Sequence, residues 1–381
     1  MKICAIICEY NPLHNGHLYQ IGEAKRLSGA DAVLCLMSGN FVQRGEPAVM
    51  NKYIRAKHAV NAGADVVLEL PTVFATSSAE YFAKGAISIL NQIPSVTTLC
   101  FGAETAEKEL FLQTANLLNN EPKTVSDKIK ALTSEGVGYA KARAMAWEGT
   151  LSLDLLTSPN NILGVEYTRA ILSLQSSIEI LPILRKDGGY KDETLNTGFS
   201  SATAIRKAVA NGEDVQNALP PFVLPDLPTS VETRLQALEK YAVLSTPAEQ
   251  IAKTLDCVEG LENAFKKCAE KDEPFVESLT SPRYTSSRIR RIALQNLLKI
   301  EETLIKQSLQ APLYIKILGI KNGKNALLSA LSESNLPILA RPRDEALLFD
   351  VAKRCYETDL FGEKVHALLY GNPGKINVFI D

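Results

Sequence analysis

Residues 3–18, ICAIICEYNPLHNGHL, join an apolar run to a histidine-rich turn and the start of a helix. The run Ile3–Cys8 is short, uncharged and rich in isoleucine, which is typical of a strand buried on both faces of a parallel sheet. It is too short for a signal peptide and is broken at once by Glu9. The chain therefore opens as an α/β protein whose first polar loop lies at the carboxyl end of a strand.

The turn His14-Asn15-Gly16-His17 has the chemistry of a phosphate site. A helix start offers unpaired N–H groups to an anion, and a glycine lets the phosphate approach the backbone closely. Two imidazoles three residues apart share one helical face, so both can donate to the same phosphoryl oxygens as charge develops in a transition state. The alternatives are two satisfied histidines in a turn and a zinc site. The zinc site is disfavoured because no carboxylate or cysteine follows at ligand spacing.

The chain alternates short apolar runs with helical stretches up to about residue 210, which predicts a parallel α/β sheet. The predicted strands are Ile3–Cys8, Ala32–Met37, Val66–Leu70, Thr97–Phe101 and Ile178–Leu184. The predicted helices are Gly16–Leu27, Asn51–Ala62, Ala79–Leu90, Ala106–Leu118 and Ile162–Leu174. Right-handed crossovers would bring the carboxyl ends of the strands to one edge, where such sheets bind ligands.

A composition break in the four-proline stretch 217–228 predicts a domain boundary. We expect an ATP-binding catalytic domain over residues 1–215 and a largely helical second domain over residues 216–381. The second domain is predicted to end in a small α/β section. Its predicted elements are strands at Ile315–Ile320 and Ile338–Ala340 and helices at Leu327–Ser332 and Glu345–Tyr356.

Composition limits the class of protein. The 381 residues are 46% hydrophobic and 22% charged with a formal charge of −2, so a nucleic acid would have to be held by a local basic patch. The 7 cysteines are scattered without a CxxC, as in a cytosolic protein with reduced thiols. No run is long and apolar enough for a membrane span. We predict a cytoplasmic protein with no membrane partner.

A second group of anion-binding residues follows the fifth predicted strand in SSATAIR, residues 200–206. Hydroxyls at a helix start are commonly N-caps and nothing more. Here Ser201 and Thr203 stand one turn from Arg206, at the end of another strand of the same sheet. A phosphate site on each side of one crevice suits a triphosphate attacked at its α-phosphorus.

Cations are concentrated in the segment Ser281–Lys299, which has five of them and no acid. Such a helix suits phosphate contacts, and Tyr284 beside it suits base stacking. A solvated charged face explains the pattern equally well. The basic residues predicted to contact RNA are Arg283, Arg288, Arg290 and Arg291, with Lys321, Lys324, Arg341 and Arg343 as an extension of the track.

Six motifs in fixed order make the sequence resemble a known family. They are EYNPLHNGHLYQ, MSGNFVQRGEPAV, DVVLELP, FGAE, SPNNILGVEY and SSATAIR. Strand-then-HxGH and the SSxTxIR helix start resemble the nucleotidyltransferase superfamily. The full set resembles the bacterial tRNA(Met) cytidine acetate ligase family over most of the chain. The resemblance implies a HUP-like parallel sheet in a nucleotidyltransferase-type domain, and a second domain, residues 216–381, that binds tRNA.

The resemblance also implies an activity: ATP activates acetate as acetyl-adenylate, and the acetyl group passes to N4 of the wobble cytidine of elongator tRNA(Met). His14 and His17 would be catalytic. The residues expected to bind ATP are Cys8, Glu9, Tyr10, Asn11, Pro12, Leu13, His14, Asn15, Gly16, His17, Gly102, Asn160, Asn161, Arg185, Ser201, Thr203 and Arg206. Arg44 is the candidate for the acetate carboxylate. Lys52 and Arg55 suit the site or a surface helix equally.

An alternative function is a nucleotidyltransferase acting on a small phosphorylated metabolite, active without RNA. Magnesium is expected with ATP. Because no carboxylate cluster marks a protein cage, we expect the ion to sit mainly on phosphate oxygens and water. Oligomeric state is not indicated by the sequence.

Overall fold

The computed structural model describes residues 1–186, 195, 198–228, 234–371 and 378–380. Its centre is one large sheet with helices on both faces, and a two-stranded hairpin lies in the loop after the second strand. The strands are β1 Ile3–Cys8, β2 Ala32–Ser38, β3 Phe41–Val42, β4 Glu46–Pro47, β5 Val66–Leu70, β6 Val96–Ala103, β7 Glu179–Leu184, β8 Ile315–Ile320, β9 Ile338–Leu339 and β10 Phe379–Ile380.

The strand order places the ligand-binding edge at β1. The large sheet runs β10-β8-β5-β2-β1-β6-β7, with β9 beside β8. The strands from β5 through β7 in this order are all parallel. The chain proceeds from β1 outward to β2 and β5, then returns to form β6 on the other side of β1. This reversal creates a crevice at the carboxyl ends of β1 and β6, where doubly wound sheets bind ligands.

Helices cover both faces of the sheet. In the first half they are α1 Asn15–Ser28, α2 Lys52–Asn61, α3 Thr72–Ala75, α4 Ala79–Leu90, α5 Lys108–Asn119, α6 Lys123–Ser134, α7 Tyr139–Ala146, α8 Leu153–Thr157, α9 Pro159–Ser173 and α10 Ala202–Asn211. In the second half they are α11 Leu235–Ser245, α12 Ala248–Ile251, α13 Leu261–Glu270, α14 Phe275–Leu279, α15 Ser286–Leu297, α16 Glu302–Ser308, α17 Asn325–Ser332 and α18 Asp350–Tyr370. None of the described helices is both long and apolar enough to cross a bilayer.

The α/β class and the five strands predicted for the parallel sheet are confirmed, with ends that shift by three residues or fewer. β1, β2, β5 and β6 are apolar runs buried along most of their length, whereas β7, at the edge of the sheet, is only partly buried. The last predicted helix, Glu345–Tyr356, begins too early: a short 3₁₀ turn occupies Pro342–Leu347, and α18 begins at Asp350.

The final α/β section is not a separate layer. β8 pairs antiparallel with β5, Val66 opposite Ile320, and so extends the sheet of the first half. The expected structural division at residue 215 therefore needs correction at this point, because strands from both sides of it share one sheet. The partner of an apolar run such as Ile315–Ile320 cannot be read from the run itself. The functional division into an ATP-binding part and a tRNA-binding part stays a prediction.

A network of buried charged side chains stabilises the pairing of β5 with β8. Lys52 Nζ lies 2.6 Å from Glu69 Oε1, and Lys316 Nζ lies 2.9 Å from Glu69 Oε2. Glu363 of α18 pairs with both lysines. The side chains of Lys52 and Glu69 are each 1% exposed, so Lys52 belongs to the core and the surface-helix alternative is wrong for it. Sequence reasoning missed the network because its members are far apart along the chain.

Candidate active site

The loop between β1 and α1 turns sharply and is anchored at its middle. Tyr10 adopts a left-handed backbone conformation, with a φ of 47°, and is buried. Asn11 Oδ1 accepts a hydrogen bond of 2.8 Å from the Val49 backbone N–H. These constraints present the start of α1 to the crevice beside β1, where the positive end of the helix dipole favours an anion.

His14 and His17 form a stacked pair at the start of α1. His14 is the N-cap, and its Nδ1 accepts from the Gly16 backbone N–H at 3.1 Å. His17 Nδ1 accepts from the His14 backbone N–H at 3.3 Å. The ring centroids are 3.7 Å apart. Because Nδ1 is an acceptor in both rings, each neutral imidazole carries its proton on Nε2, which is a donor for a ligand.

Burial keeps both imidazoles neutral. Burial, with a smaller contribution from the Arg185 charge, lowers the pKa of His14 to about 3. The pKa of His17 also lies well below its ordinary value, through burial first and then through His14 and Arg185. Fixed positive charge at this site therefore comes from guanidinium groups and the helix start. The histidines can serve as oriented neutral donors.

Gly16 is required by the position of the His14 ring. A Cβ at residue 16 would stand 2.9 Å from His14 Cε1, closer than side chains tolerate. The glycine of the motif thus admits the imidazole over the first turn, in addition to leaving the backbone accessible to a phosphate.

The two predicted anion-binding motifs meet in the structure. Asn15 Nδ2 donates to the backbone oxygens of Gly198 at 3.0 Å and Asn217 at 2.9 Å, which joins α1 to the segments on either side of α10. Arg206 Nη1 donates to the Asn11 backbone oxygen at 2.8 Å. The guanidinium of α10 therefore stands directly at the loop that carries the histidines.

The hydroxyls at the start of α10 have local partners. Ser201 is the N-cap, and its Oγ accepts from the Ala204 backbone N–H at 3.1 Å. Thr203 Oγ1 accepts from Arg206 Nη2 at 3.4 Å. The N-cap interpretation is thus correct for Ser201. A contact of the Ser201 hydroxyl with a ligand stays a prediction.

A cavity of about 530 Å³ opens at the carboxyl ends of β1 and β6, a size suited to a nucleotide. It is lined by Ile7, Cys8, Glu9, Tyr10, Asn11, His17, Gln20, Gln43, Arg44, Ala79, Phe82, Phe101, Gly102, Pro159, Asn160, Ile162, Leu163, Tyr167, Arg185, Ala202, Arg206, Thr285, Ser287 and Arg291. A narrow recess beside it is lined by His14, Gly16 and Phe199 among others, and shares His17, Gly102 and Arg185 with the cavity.

Most predicted ATP-site residues from separate parts of the chain thus surround one space. The predicted residues that are not among the described lining residues of the cavity or recess are Pro12, Leu13, Asn15, Asn161, Ser201 and Thr203. Sequence reasoning missed the apolar lining residues, such as Phe82, Phe101 and Tyr167. No signal distinguishes them, because apolar residues on helices and strands resemble ordinary core.

The side chains of Asn160 and Asn161 differ in what they contact. Asn161 is fully buried, and its Oδ1 accepts from the backbone N–H groups of Glu104 at 3.0 Å and Thr105 at 3.2 Å. It shapes the chain after β6. Asn160 lines the cavity, and its Nδ2 donates to Glu104 Oε1 at 2.7 Å. Of the two asparagines, only Asn160 can contact a ligand in this cavity.

The loop from β2 to α2 forms one wall of the cavity through Gln43 and Arg44. Burial lowers the pKa of Arg44, and nearby Arg206 and Arg290 lower it further. Arg55 is fully buried and donates to the main-chain oxygens of Met50, Glu9 and Ser38. The surface-helix alternative is therefore wrong for Arg55 as well, because this guanidinium holds the ends of β1 and β2 together from behind the cavity.

The basic helix α15 closes the cavity from the other side. Thr285, Ser287 and Arg291 line the cavity, and Gly45 of the β3–β4 turn packs against the Arg290–Arg291 backbone. Arg291 is predicted from the sequence to contact RNA, but its side chain is only 11% exposed and faces the cavity. α15 thus belongs to the same site as the histidines.

The other arginines of this segment also have protein partners. Arg283 pairs with Glu259, and Arg290 Nη1 lies 3.2 Å from Glu46 Oε1. Arg288 donates to the Asp256 backbone oxygen. The acids come from other segments, which explains why the segment looks uncompensated in sequence. The role of these arginines in RNA binding stays a prediction.

The basic residues directly after β8 do not extend the predicted RNA-binding surface of α15. Because β8 runs antiparallel to β5, the residues after β8 lie at the edge of the sheet opposite the cavity. The Lys321 backbone N–H donates to the Asp65 oxygen there, and Lys324 Nζ lies 2.9 Å from Asp65 Oδ1. Lys321 and Lys324 therefore do not continue a surface from α15.

A histidine pair at the helix start beside the central strand, opposite a guanidinium-bearing helix, defines a nucleotidyltransferase of the HIGH type. The HIGH Nucleotidyl Transferase family model matches residues 1–377. The chain is 36% identical over 408 residues to the tRNA(Met) cytidine acetate ligase of Alkaliphilus metalliredigens, covering 98% of this chain and 95% of that protein. It is 37% identical over 389 residues to that of Caldanaerobacter subterraneus, covering 98% and 96%. The chain belongs to the tRNA(Met) cytidine acetate ligase family.

Solved structures agree with this assignment. Apo Thermotoga maritima TmcAL superposes with a TM-score of 0.92 at 29% identity, covering 100% of this chain and 99% of that one. TmcAL bound with alpha-thio ATP gives a TM-score of 0.87 at 30% identity, with coverages of 98% and 96%. The family resemblance drawn from the six motifs is therefore confirmed, as is the nucleotidyltransferase-type fold.

Proposed function

We propose that this protein uses ATP to activate acetate as acetyl-adenylate and transfers the acetyl group to N4 of the wobble cytidine of elongator tRNA(Met). One observation carries the proposal: a single cavity is lined on one side by the histidine-bearing edge of the sheet and on the other by the basic helix α15. Relatives aligned over 98% of the chain carry the name tRNA(Met) cytidine acetate ligase.

In the first step, an acetate oxygen attacks the α-phosphorus of ATP and pyrophosphate leaves. The Nε2–H groups of His14 and His17 donate to the phosphoryl oxygens as negative charge accumulates there. Arg206, with the hydroxyls of Ser201 and Thr203, holds the departing pyrophosphate. Protein dipoles that are already oriented need no rearrangement at the transition state, which is the catalytic advantage of the capped, stacked histidine pair.

The remaining assignments follow the lining of the cavity. Gly102, Asn160 and Arg185 stand on the β6–β7 side and bind the nucleoside. Arg44 binds the carboxylate of acetate from the opposite wall, because a buried cation attracts a small carboxylate strongly. Neither set of contacts involves Asn161, whose side chain is occupied by the chain after β6.

Magnesium is expected as the companion of ATP. Among the described residues no three metal-capable side chains cluster, and the only carboxylate that lines the cavity is Glu9. This donor set fits an ion held mainly by phosphate oxygens and water, which is the usual arrangement for magnesium bound with a nucleotide. Neutralisation of the triphosphate charge is what the ion would supply.

The test supplies ATP, acetate and tRNA(Met) and measures N4-acetylcytidine by mass spectrometry of the digested RNA. We expect acetylation by the intact protein and a loss of about 100-fold or more in His17→Ala, the range seen when one transition-state donor is removed. Arg26→Ala, an exposed change at the far end of α1, is the matched control. No acetylcytidine from the intact protein would refute the proposal, and activity on a phosphorylated metabolite without RNA would support the alternative nucleotidyltransferase.

A cytoplasmic location is part of the proposal. It is supported by the nature of the tRNA substrate and by the seven cysteines, which are all buried and unpaired.

A further inference from the structure

Among the described residues that line the cavity, one carboxylate lies among several positively charged groups that would attract anions. Of its described lining residues, four carry guanidinium groups (Arg44, Arg185, Arg206 and Arg291), and only Glu9 carries a negative charge. A carboxylate beside a triphosphate is repelled by it, so its presence opposes nucleotide binding. Its hydrogen bond to the Gln43 backbone N–H, 2.7 Å from Oε1, needs only an acceptor oxygen and does not require a charge.

The surroundings of Glu9 give it the properties of a proton acceptor. Burial raises the pKa of this carboxyl, while the Gln43 N–H and the charges of Arg44, Arg206 and Arg55 oppose that rise. Tyr167 lines the same cavity, and burial followed by the charge of Glu9 raises the pKa of its phenol well above the ordinary value. A carboxylate with a raised pKa is a better base than an exposed one.

Beside Glu9 the cavity is bounded by aromatic rings. The Tyr167 ring lies 5.9 Å from that of Phe101 and 6.4 Å from that of Phe82, between centroids. Flat apolar walls of this kind suit a nucleobase, and bases in single-stranded RNA loops are commonly splayed out and bound in this way.

Helix α15 connects this part of the cavity to the surface. Arg290 of this helix is 35% exposed and Arg283, which precedes the helix, is 44% exposed, whereas Arg291 lines the cavity. The Arg291 Nε–H is buried and has no hydrogen-bond partner among the described residues. A polynucleotide lying on the outer arginines would therefore pass the mouth of the cavity.

We propose that Glu9 is a catalytic residue for the second step, which receives the acceptor cytosine by accepting a hydrogen bond from its N4 amino group and then takes the proton from N4. The proposal rests on the proposed function. Recognition of a cytosine amino group by a glutamate is a known pairing. Uridine has an oxygen in place of N4, and that oxygen would face the carboxylate with no hydrogen between them.

Acetyl transfer to N4 exchanges one acyl bond for another. The N4 lone pair forms a C–N bond to the acyl carbon of acetyl-adenylate. The bond from that carbon to the phosphate oxygen breaks, and AMP leaves with the bonding electron pair. The N4 proton moves to the Glu9 carboxylate and passes from there to water. No oxidant or further reactant is needed.

The test compares Glu9→Gln with the intact protein. Glutamine retains an oxygen to accept from the Gln43 N–H, so the loop keeps its support, but it cannot take up the proton. Acetyl-adenylate formation, measured by pyrophosphate exchange, and acetyl transfer, measured in a single turnover, are followed in the same preparation. We expect the ratio of transfer to adenylate formation to fall about 100-fold or more. Glu80→Gln, a half-exposed carboxylate at the start of α4, is the control.

A second measurement distinguishes recognition of the cytosine by Glu9 from a purely structural role of Glu9 in the loop. We expect tRNA(Met) with uridine at the wobble position to compete with the natural tRNA roughly tenfold to a hundredfold less well for the intact protein. In Glu9→Gln this preference should vanish, because an amide can also donate to the uridine oxygen. A purely structural role would leave the preference unchanged.

Three outcomes overturn the proposal. They are an unchanged ratio of the two steps, an unchanged preference for cytidine, and a fall in adenylate formation that added magnesium restores, which would assign Glu9 to the ion. Failure of the proposed function is distinguishable, since the intact protein would then acetylate no tRNA at all.

Discussion

The histidines are held neutral by the fold. His14, His17, His58 and His366 are the 4 histidines of the chain, and burial is the main cause of a lowered pKa for each of them. His366 shows the reason plainly, because its ring is buried in the core and that burial outweighs the 2.8 Å contact of its Nε2 with the Ala48 backbone oxygen, which by itself would raise the pKa. Protonating such a ring means charging a group that has lost its water.

This arrangement predicts acid destabilisation. Burial lowers the pKa of folded His366 to about 4, below the 6.5 of an unfolded chain, so the unfolded state binds more protons between these values. The free energy of unfolding should therefore fall as pH drops from 6.5 toward 4. In His366→Gln the slope of that decline should decrease by about 1.4 kcal/mol per pH unit. Urea denaturation at several pH values measures it, with exposed Lys364→Gln as control. An unchanged slope would contradict the assignment.

The two adjacent asparagines provide a second prediction for single residues. Asn161→Ala leaves two backbone N–H groups after β6 without their acceptor, which should reduce the free energy of unfolding by about 1–3 kcal/mol. Asn160→Ala should leave stability nearly unchanged and weaken ATP binding. Denaturant unfolding and calorimetric titration with ATP measure the two effects. The assignment fails if Asn161→Ala unfolds as the intact protein does.

At the scale of elements, α15 is both a cavity wall and a surface. We expect the double variant Arg283→Gln with Arg290→Gln to weaken tRNA binding and to reduce the slope of log affinity against log salt by roughly 0.7–0.9 for each phosphate group that the variant no longer binds. Lys321→Gln, at the opposite edge of the sheet, is the matched control and should change neither quantity. Binding measured between about 50 and 200 mM salt, a range over which phosphate contacts weaken strongly, provides the comparison. Equal effects of the control and the double variant would remove α15 from the RNA surface.

The positions of some elements could be predicted from the sequence, and those of others could not. β1, β2, β5 and the helix start after β1 carry their own signals, namely apolar runs and an HxGH turn, so their positions followed from the sequence. The pairing of β8 with β5 did not, because an apolar strand does not specify its neighbour. The inward position of Arg291 could not be predicted either, because a charged side chain is expected at the surface unless the elements that pack around it are known.

At the scale of the whole molecule, the buried charges around Glu69 join the first and last parts of the chain. Lys316→Met leaves Glu69 and Glu363 with one lysine fewer in the interior, and losing one partner of a buried pair costs about 3–5 kcal/mol. We expect a loss of stability of that size by urea denaturation. Exposed Lys321→Met, just beyond the end of the same strand, should cost little. Equal stability of the two variants would show that the network does not hold the sheet together.

The nucleotide side and the α15 side of the cavity are parts of one continuous space, and this has a consequence for inhibitor chemistry. A single compact molecule that links a non-hydrolysable adenylate mimic to an aminopyrimidine can occupy both sides at once. Tethering makes the second contact intramolecular, so affinity rises with no new interaction beyond those of the two halves. Enzymes that bind only the nucleotide lack a complementary place for the pyrimidine half, which makes such a compound selective as well as tight.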